Sequence, residues 1–277
     1  MARNVVFVVG AQRSGTTVSA VLLADHPDLY LTVNGKLLYY LITWIYRDPE
    51  GVADKHPRLD EVAHGLKRRP VLGVEAQDVD RMISMLEREI DPARFADRSP
   101  TDLVRSIWLE VYTALAGSAG TMGDKYNEYL LQLPEVTALF PEARYVFFHR
   151  DPVDAAESML RAFAGRPWAP RTLVEAIAKW TEWNTRWLAA SKAMAPTAFL
   201  DVPYEEMVQD PSYTFRRICS FLELPCDAHF LRAVTGAIRR TTQGARRPTP
   251  GAEWDSIQEA VPEFRRVSSA LGYGYAT

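Results

Sequence analysis

The chain has 277 residues, 47% of them hydrophobic and 24% charged, with 32 Lys+Arg against 35 Asp+Glu for a formal net charge of −3. These proportions exclude a disordered chain, a coiled coil and a collagen-like repeat. The slightly acidic balance excludes binding of duplex nucleic acid through bulk charge, although Arg can still be concentrated in one pocket. Two cysteines, Cys219 and Cys226, make neither a disulfide framework nor a four-ligand zinc site, so a reducing compartment is expected. The longest apolar run, Leu37 to Tyr46, is too short to span a bilayer, and Val5–Val9 reads as a buried strand rather than a signal-peptide core. A cytoplasmic location, with no membrane span, is therefore expected.

In chain order, Val5–Val9 is a continuous β-branched and aromatic run closed by Gly10, the pattern of a parallel strand buried on both faces. Gly10-Ala11-Gln12-Arg13-Ser14-Gly15-Thr16-Thr17 follows, and Val18, Val21 and Leu22 then recur at helical spacing up to Asp25-His26-Pro27. Strand, glycine loop and helix in that order form a phosphate cradle, in which backbone N–H groups and a helix N-terminus surround an anion. Gly10 and Gly15 have Walker A spacing, but Thr16-Thr17 stand where Lys-Ser/Thr would be, so Arg13 is the only cation in the loop. No acidic residue that would hold Mg²⁺ is evident at the end of a second strand.

Lys36–Tyr46 can form a helix, residues 47–69 read as loop or lid, and Val79–Ile90 has helical spacing. Ser99-Pro100-Thr101-Asp102 is a helix start with apolar Leu103, Ile107, Val111 and Leu115 behind it. Arg144–Arg150 is a second strand-like run, and Asp151-Pro152 caps the helix that follows. Leu173–Lys192 is a long helix whose Trp180, Trp183 and Trp187 read as core. Thr197–Val202 is a third strand and Pro211–Leu222 an amphipathic helix. Residues 236–252, rich in Arg, Thr, Gly and Pro, read as a loop that orders on binding. Alternating strands and helices give an α/β fold: three layers around a central, mostly parallel sheet with a P-loop-like phosphate loop. No linker divides the chain, so one domain over residues 1–277 is expected, with an acceptor-side helical or lid insertion at about residues 34–115.

Arg150 closes a strand at its C-terminal end, where open α/β sheets bind ligands, and a guanidinium suits a terminal phosphate because it donates two parallel hydrogen bonds. Ser158, two turns into the next helix, can offer a hydroxyl to the same anion.

The loop Gln12-Arg13-Ser14-Gly15-Thr16-Thr17 resembles the 5′-phosphosulfate-binding loop of sulfotransferases that use 3′-phosphoadenosine 5′-phosphosulfate (PAPS). Phe140–Pro152 is similar to the strand and turn that precede this family's 3′-phosphate site, with Arg150 and Ser158 matching its Arg and Ser. Leu200–Val208 followed by Asp210-Pro211 is similar to its Tyr-Glu-Asp/Glu segment near the adenine, which marks Tyr204. Gly123-Asp124-Lys125-Tyr126-Asn127 resembles the segment whose Lys points at the transferring group. The landmarks stand in the family's order over about half the chain, and point to a bacterial-type small-molecule branch or a tyrosyl-protein-like one.

The resemblance implies transfer of a sulfuryl group to a hydroxyl or phenol of a small-molecule acceptor, with adenosine 3′,5′-bisphosphate as the other product and no metal. It implies that Gln12, Arg13, Ser14, Gly15, Thr16, Thr17, Arg150, Ser158 and Tyr204 bind the co-substrate, together with Arg246 and Arg247 from a flap. Arg13 and Lys125 would neutralise charge on the leaving oxygen. The family's base position carries no carboxylate in Leu31–Lys36, and Asn127 stands where a His would fall. Glu75 and Glu128 are base candidates only by proximity in sequence, and His149 reads as a packed histidine. Tyr39, Tyr40, Trp44 and Tyr46 fit either an aromatic acceptor pocket or a helix packed on the core. Two other classes stay open: a P-loop nucleotide kinase or NTPase, and a non-catalytic nucleotide-binding relative.

Overall fold

The computed structural model describes residues 3–47, 76–89, 98–241 and 257–274. The chain separates into two compact units, one of Met1–Val8 and Ser19–Tyr145, the other of Val9–Val18 and Val146–Thr277. Its strands are β1 (Asn4–Gly10), β2 (Leu29–Val33), β3 (Thr121–Lys125), β4 (Arg144–His149) and β5 (Phe199–Pro203). They form one five-stranded sheet in the order β2-β3-β1-β4-β5, in which β1 and β2 both run parallel to β3. The expected α/β architecture is thus observed. The glycine loop follows β1, Lys125 ends β3 and Arg150 follows β4, so each landmark stands at a C-terminal strand end, where such sheets bind ligands.

The first unit is built on the buried stretch of β1. Phe7 lies 5.5–5.8 Å, centroid to centroid, from the rings of Trp108, Tyr129, Phe140 and Tyr145. The helices here are α1 (Thr16–Ala24, its first three residues belonging to the second unit), α2 (Leu37–Leu41, continued by a π-helical turn over Ile42–Tyr46), α3 (Ala76–Glu89), α4 (Pro100–Ala116) and α5 (Leu133–Leu139), with a 3₁₀ turn over Asn127–Gln132. α4 starts as its sequence dictates: the Ser99 Oγ accepts a hydrogen bond from the Asp102 N–H at 3.1 Å, and Pro100 occupies the first turn, where its missing N–H is not needed. Its buried face carries Leu103, Val104, Ile107, Trp108, Val111 and Tyr112.

In the second unit, α6 (Pro152–Phe163) is capped by the Asp151 carboxylate, which accepts from the Val153 and Asp154 N–H groups. α7 (Leu173–Ser191) buries Trp180, Trp183 and Trp187, and the Trp187 ring stacks on Phe147 at 4.3 Å; all three are core, as their spacing indicates. The unit continues with α8 (Tyr204–Gln209), α9 (Pro211–Leu222), α10 (Ala228–Thr241) and α11 (Phe264–Ala270). One expectation is corrected. Residues 236–241 are the last turns of α10 rather than the start of a loop, because buried Leu231, Val234 and Ile238 continue the helical period through the Arg-rich sequence. Residues 242–252 lie outside the described residues.

Candidate functional site

The turn from β1 into α1 holds the backbone in conformations that few sequences tolerate. Arg13 sits at φ +70° and Gly15 at φ +89°. A Cβ on Gly15 would lie 2.6 Å from Cδ2 of Tyr204, so this position needs glycine both for its dihedral angle and for the approach of the ring. The Ser14 N–H closes the turn onto the Ala11 carbonyl at 3.2 Å, and Thr16 and Thr17 open the helix. The Arg13 Nε donates to the Ser158 Oγ at 3.0 Å, and its guanidinium carbon lies 5.7 Å from the Phe163 ring centre. Burial, helped by neighbouring Arg150, lowers the Arg13 pKa from its ordinary value.

Arg150 faces the same loop. Its guanidinium carbon stands 4.3 Å from the centre of the Tyr204 ring, its Nη1 donates to the Arg13 carbonyl at 3.3 Å, and its Nη2 lies 3.9 Å from the Asp154 carboxylate. Burial, together with nearby Asp151, raises the Asp154 pKa. The Gln12 Oε1, Ser14 Oγ and Arg150 Nε are buried without a hydrogen-bond partner. Three orphaned polar atoms of the loop and the strand end are what a site built to receive a polyanion would carry. The backbone around Arg150 is tied by side chains: the Trp180 Nε1 donates to the Arg150 carbonyl at 3.1 Å and the Asp151 N–H to the Glu205 Oε1 at 2.9 Å. His149 is packed, as its place in a strand suggests; burial depresses its pKa to about 4, and its Nδ1 lies 3.0 Å from the Tyr273 hydroxyl.

These features, a Walker-spaced loop without the P-loop lysine, an Arg–Ser pair beside it and an Arg over a Tyr ring, occur on a chain whose residues 5–228 match the family model described as "Sulfotransferase family". The chain belongs to the sulfotransferase family. A Caenorhabditis briggsae protein provisionally named a protein-tyrosine sulfotransferase is 25% identical over 223 residues, 80% of this chain and 66% of that protein. A Caenorhabditis elegans protein of the same name is 27% identical over 133 residues, 47% of this chain and 51% of that protein. The chain thus spans less than two thirds of either curated relative. Among solved structures, the sulfotransferase domain from the curacin biosynthetic pathway superposes with a TM-score of 0.61 at 17% identity, covering 99% of both chains, a likeness of fold.

In the first unit the sulfotransferase landmark Lys125 is 1% exposed, not a solvated surface lysine. Its Nζ donates to the Asn127 Oδ1 at 2.7 Å and the Asn34 Oδ1 at 3.1 Å, so the Asn in the expected His position is a partner of the lysine. The neighbouring Asp124 was not singled out by the sequence. It is fully buried and accepts from the Thr32 hydroxyl at 2.6 Å, the Tyr129 hydroxyl at 2.6 Å and the Gly35 N–H at 3.0 Å. Burial raises its pKa, against the pull of these bonds. The network pins the turn of Asn34 (φ +64°), Gly35 and Lys36 (φ +60°), which carries one of the two Lys125 partners. An acid inside a strand, next to a lysine, is the signal that could have found it.

Glu128 is half-buried in the first turn of the 3₁₀ segment. Glu75, Arg246 and Arg247 lie outside the described residues. Half-exposed rings cluster near Lys125: Tyr39 stands 5.3 Å from Tyr126, Tyr40 stacks on Trp44 at 4.5 Å, and the Lys36 ammonium lies 5.6 Å from the Tyr126 ring centre. Among the described residues no group of His, Cys, Asp or Glu forms a metal-binding set, and no helix is long and apolar enough to cross a membrane.

Proposed function

We propose that the protein, acting as a single sulfotransferase domain in the cytoplasm, transfers a sulfuryl group from PAPS to a hydroxyl, with a small-molecule phenol as the preferred acceptor class. The observation that carries this reading is the arrangement in the second unit. Donors for one anion surround the glycine loop, and a further guanidinium, Arg150, faces the ring of Tyr204, the residue immediately after β5. PAPS, when bound, supplies the sulfuryl group and a phosphate leaving group. Loop amides, the Ser14, Thr16 and Thr17 hydroxyls and Gln12 hold its 5′ end at the helix N-terminus. Arg150 and Ser158 take the 3′-phosphate through charge-assisted hydrogen bonds, Tyr204 borders the adenine, and Arg246 and Arg247 belong to the flap.

Arg13 and Lys125 meet the charge that grows on the leaving oxygen, each through N–H groups already oriented by a neighbour, Ser158 for one and the two Asn side chains for the other. A phenolic acceptor is supported by the half-exposed aromatic cluster around Tyr126, the residue after Lys125, and by the names of both Caenorhabditis relatives, which point to a tyrosyl phenol. A phenol loses its proton more readily than an alcohol, which lessens the demand on a base. Titration of adenosine 3′,5′-bisphosphate, adenosine 5′-phosphate and ATP with Mg²⁺ tests the reading. The bisphosphate should bind at least about tenfold tighter than either; tightest binding of Mg·ATP would replace it with a P-loop NTPase.

A further inference from the structure

Three consecutive residues at the end of β4 are held by side chains from elsewhere in the second unit. The peptide between Arg150 and Asp151 lies between β4 and α6, and side chains bind both of its polar groups. The carbonyl accepts from the Trp180 Nε1 and the N–H donates to the Glu205 Oε1. The other carboxylate oxygen of Glu205 accepts from the Tyr273 hydroxyl at 2.9 Å, and that hydroxyl lies 3.0 Å from the Nδ1 of His149, the residue before Arg150. The direction of the chain follows from proton counting. The Tyr273 hydroxyl spends its single proton on Glu205, so the phenol oxygen accepts from His149. His149 therefore carries a proton on Nδ1, and burial, which depresses its pKa to about 4, leaves the ring neutral at pH 7. Tyr273 lies three residues past α11 and outside the residues that match the family model.

We infer that Tyr273 and Glu205 are positioning residues for the 3′-phosphate: through the chain His149–Tyr273–Glu205–Asp151 they fix the backbone on both sides of Arg150. The inference rests on the proposed assignment of Arg150 to that phosphate. Tyr273 does a second thing in the same place. Glu205 stands in the first turn of α8 next to Tyr204, whose ring Arg150 covers, and a bare carboxylate there would repel an incoming phosphate. The Tyr273 hydroxyl and the Asp151 N–H each occupy one of its oxygens and draw its charge away from the cleft. Through its bonds to His149 and Glu205, Tyr273 thereby sets how well the strand end receives a dianion.

The test uses the full chain and its Tyr273→Phe variant, which removes one oxygen and keeps the ring. Calorimetric titration with adenosine 3′,5′-bisphosphate and with adenosine 5′-phosphate gives the ratio of the two affinities. Tyr273→Phe should lower that ratio by roughly three- to tenfold, the worth of one hydrogen bond, with binding of the monophosphate unchanged. In a Glu205→Gln background, where no carboxylate is left to screen, Tyr273→Phe should lower the ratio less than it does in the wild type, because both changes act on one chain. A ratio that stays constant, with both ligands equally affected or neither, overturns the inference while leaving the reading of Arg150 standing. A wild-type protein with no preference for the bisphosphate overturns both. Nitrogen NMR of His149 at neutral pH gives a readout free of any variant: the proton should sit on Nδ1, and a proton on Nε2 contradicts the chain of bonds.

Discussion

The guanidinium of Arg150 lies 4.3 Å from the centre of the Tyr204 ring, and the same ring leaves no room for a Cβ on Gly15. One aromatic side chain therefore sets the distance between the glycine loop and the strand-end arginine. A cation over an aromatic face is held without spending N–H donors on the ring, and the Arg150 Nε has no hydrogen-bond partner.

Arg150→Ala should weaken adenosine 3′,5′-bisphosphate by about ten- to a hundredfold, the effect of losing one charge-assisted contact of roughly 1.5–3 kcal/mol. Binding of adenosine 5′-phosphate should change little, and so should the denaturation midpoint, since the ion pair with Asp154 is long at 3.9 Å. Equal losses for the two nucleotides in a calorimetric titration would remove Arg150 from the 3′ position.

Lys125→Met keeps most of the buried volume and removes the charge. Turnover should fall by about 10²–10³, the scale of deleting one oriented donor to a developing anion. Nucleotide affinity should hold. Steady-state kinetics alongside a titration separates the two, and a variant that loses binding but keeps its turnover rate would mean that Lys125 serves the ground state.

Stability should carry the signature of His149. Its folded pKa is about 4 against an ordinary 6.5, with burial as the cause. Above about pH 6.5 the imidazole is neutral in both states and carries no penalty. As the pH falls from there toward 4, the unfolded chain takes up a proton that the folded chain refuses, and stability drops by on the order of 2 kcal/mol at pH 5. Urea unfolding at pH 7 and pH 5 should show a smaller drop for His149→Gln than for the wild type by about that amount. Identical slopes would place the proton elsewhere.

The parts legible in the sequence were those whose local pattern agrees with their environment. β1 is apolar because both faces are buried, and α4, α6 and α9 begin at Ser99, Asp151 and Asp210, whose side chains accept from their first-turn N–H groups. β3 was illegible on its own pattern because tertiary demands set almost every position. Gly123 is glycine because a Cβ would lie 2.0 Å from the Val6 carbonyl oxygen, Asp124 serves a buried network, and Lys125 faces the two Asn side chains. Only the family resemblance pointed to it. β2 (Leu-Tyr-Leu-Thr-Val) did carry a strand-like composition between Pro27 and the Asn34-Gly35 turn, and was hidden by the irregular stretch after it. On the site, the residue types of Arg13, Ser158 and Arg150 were readable, but their mutual arrangement was not: Ser158 is bonded to Arg13, a pairing across 145 positions that no local pattern encodes.

The central claim is sulfuryl transfer from PAPS, and the direct measurement is transfer of ³⁵S from labelled PAPS to a panel of phenols, tyrosyl peptides, sugars and nucleosides, with EDTA present throughout. The account predicts labelled aryl sulfate and an equimolar yield of adenosine 3′,5′-bisphosphate, at a rate that EDTA does not change. Activity that vanishes in EDTA and returns with Mg²⁺, or a protein that binds the nucleotide and moves no label to any acceptor, would contradict it.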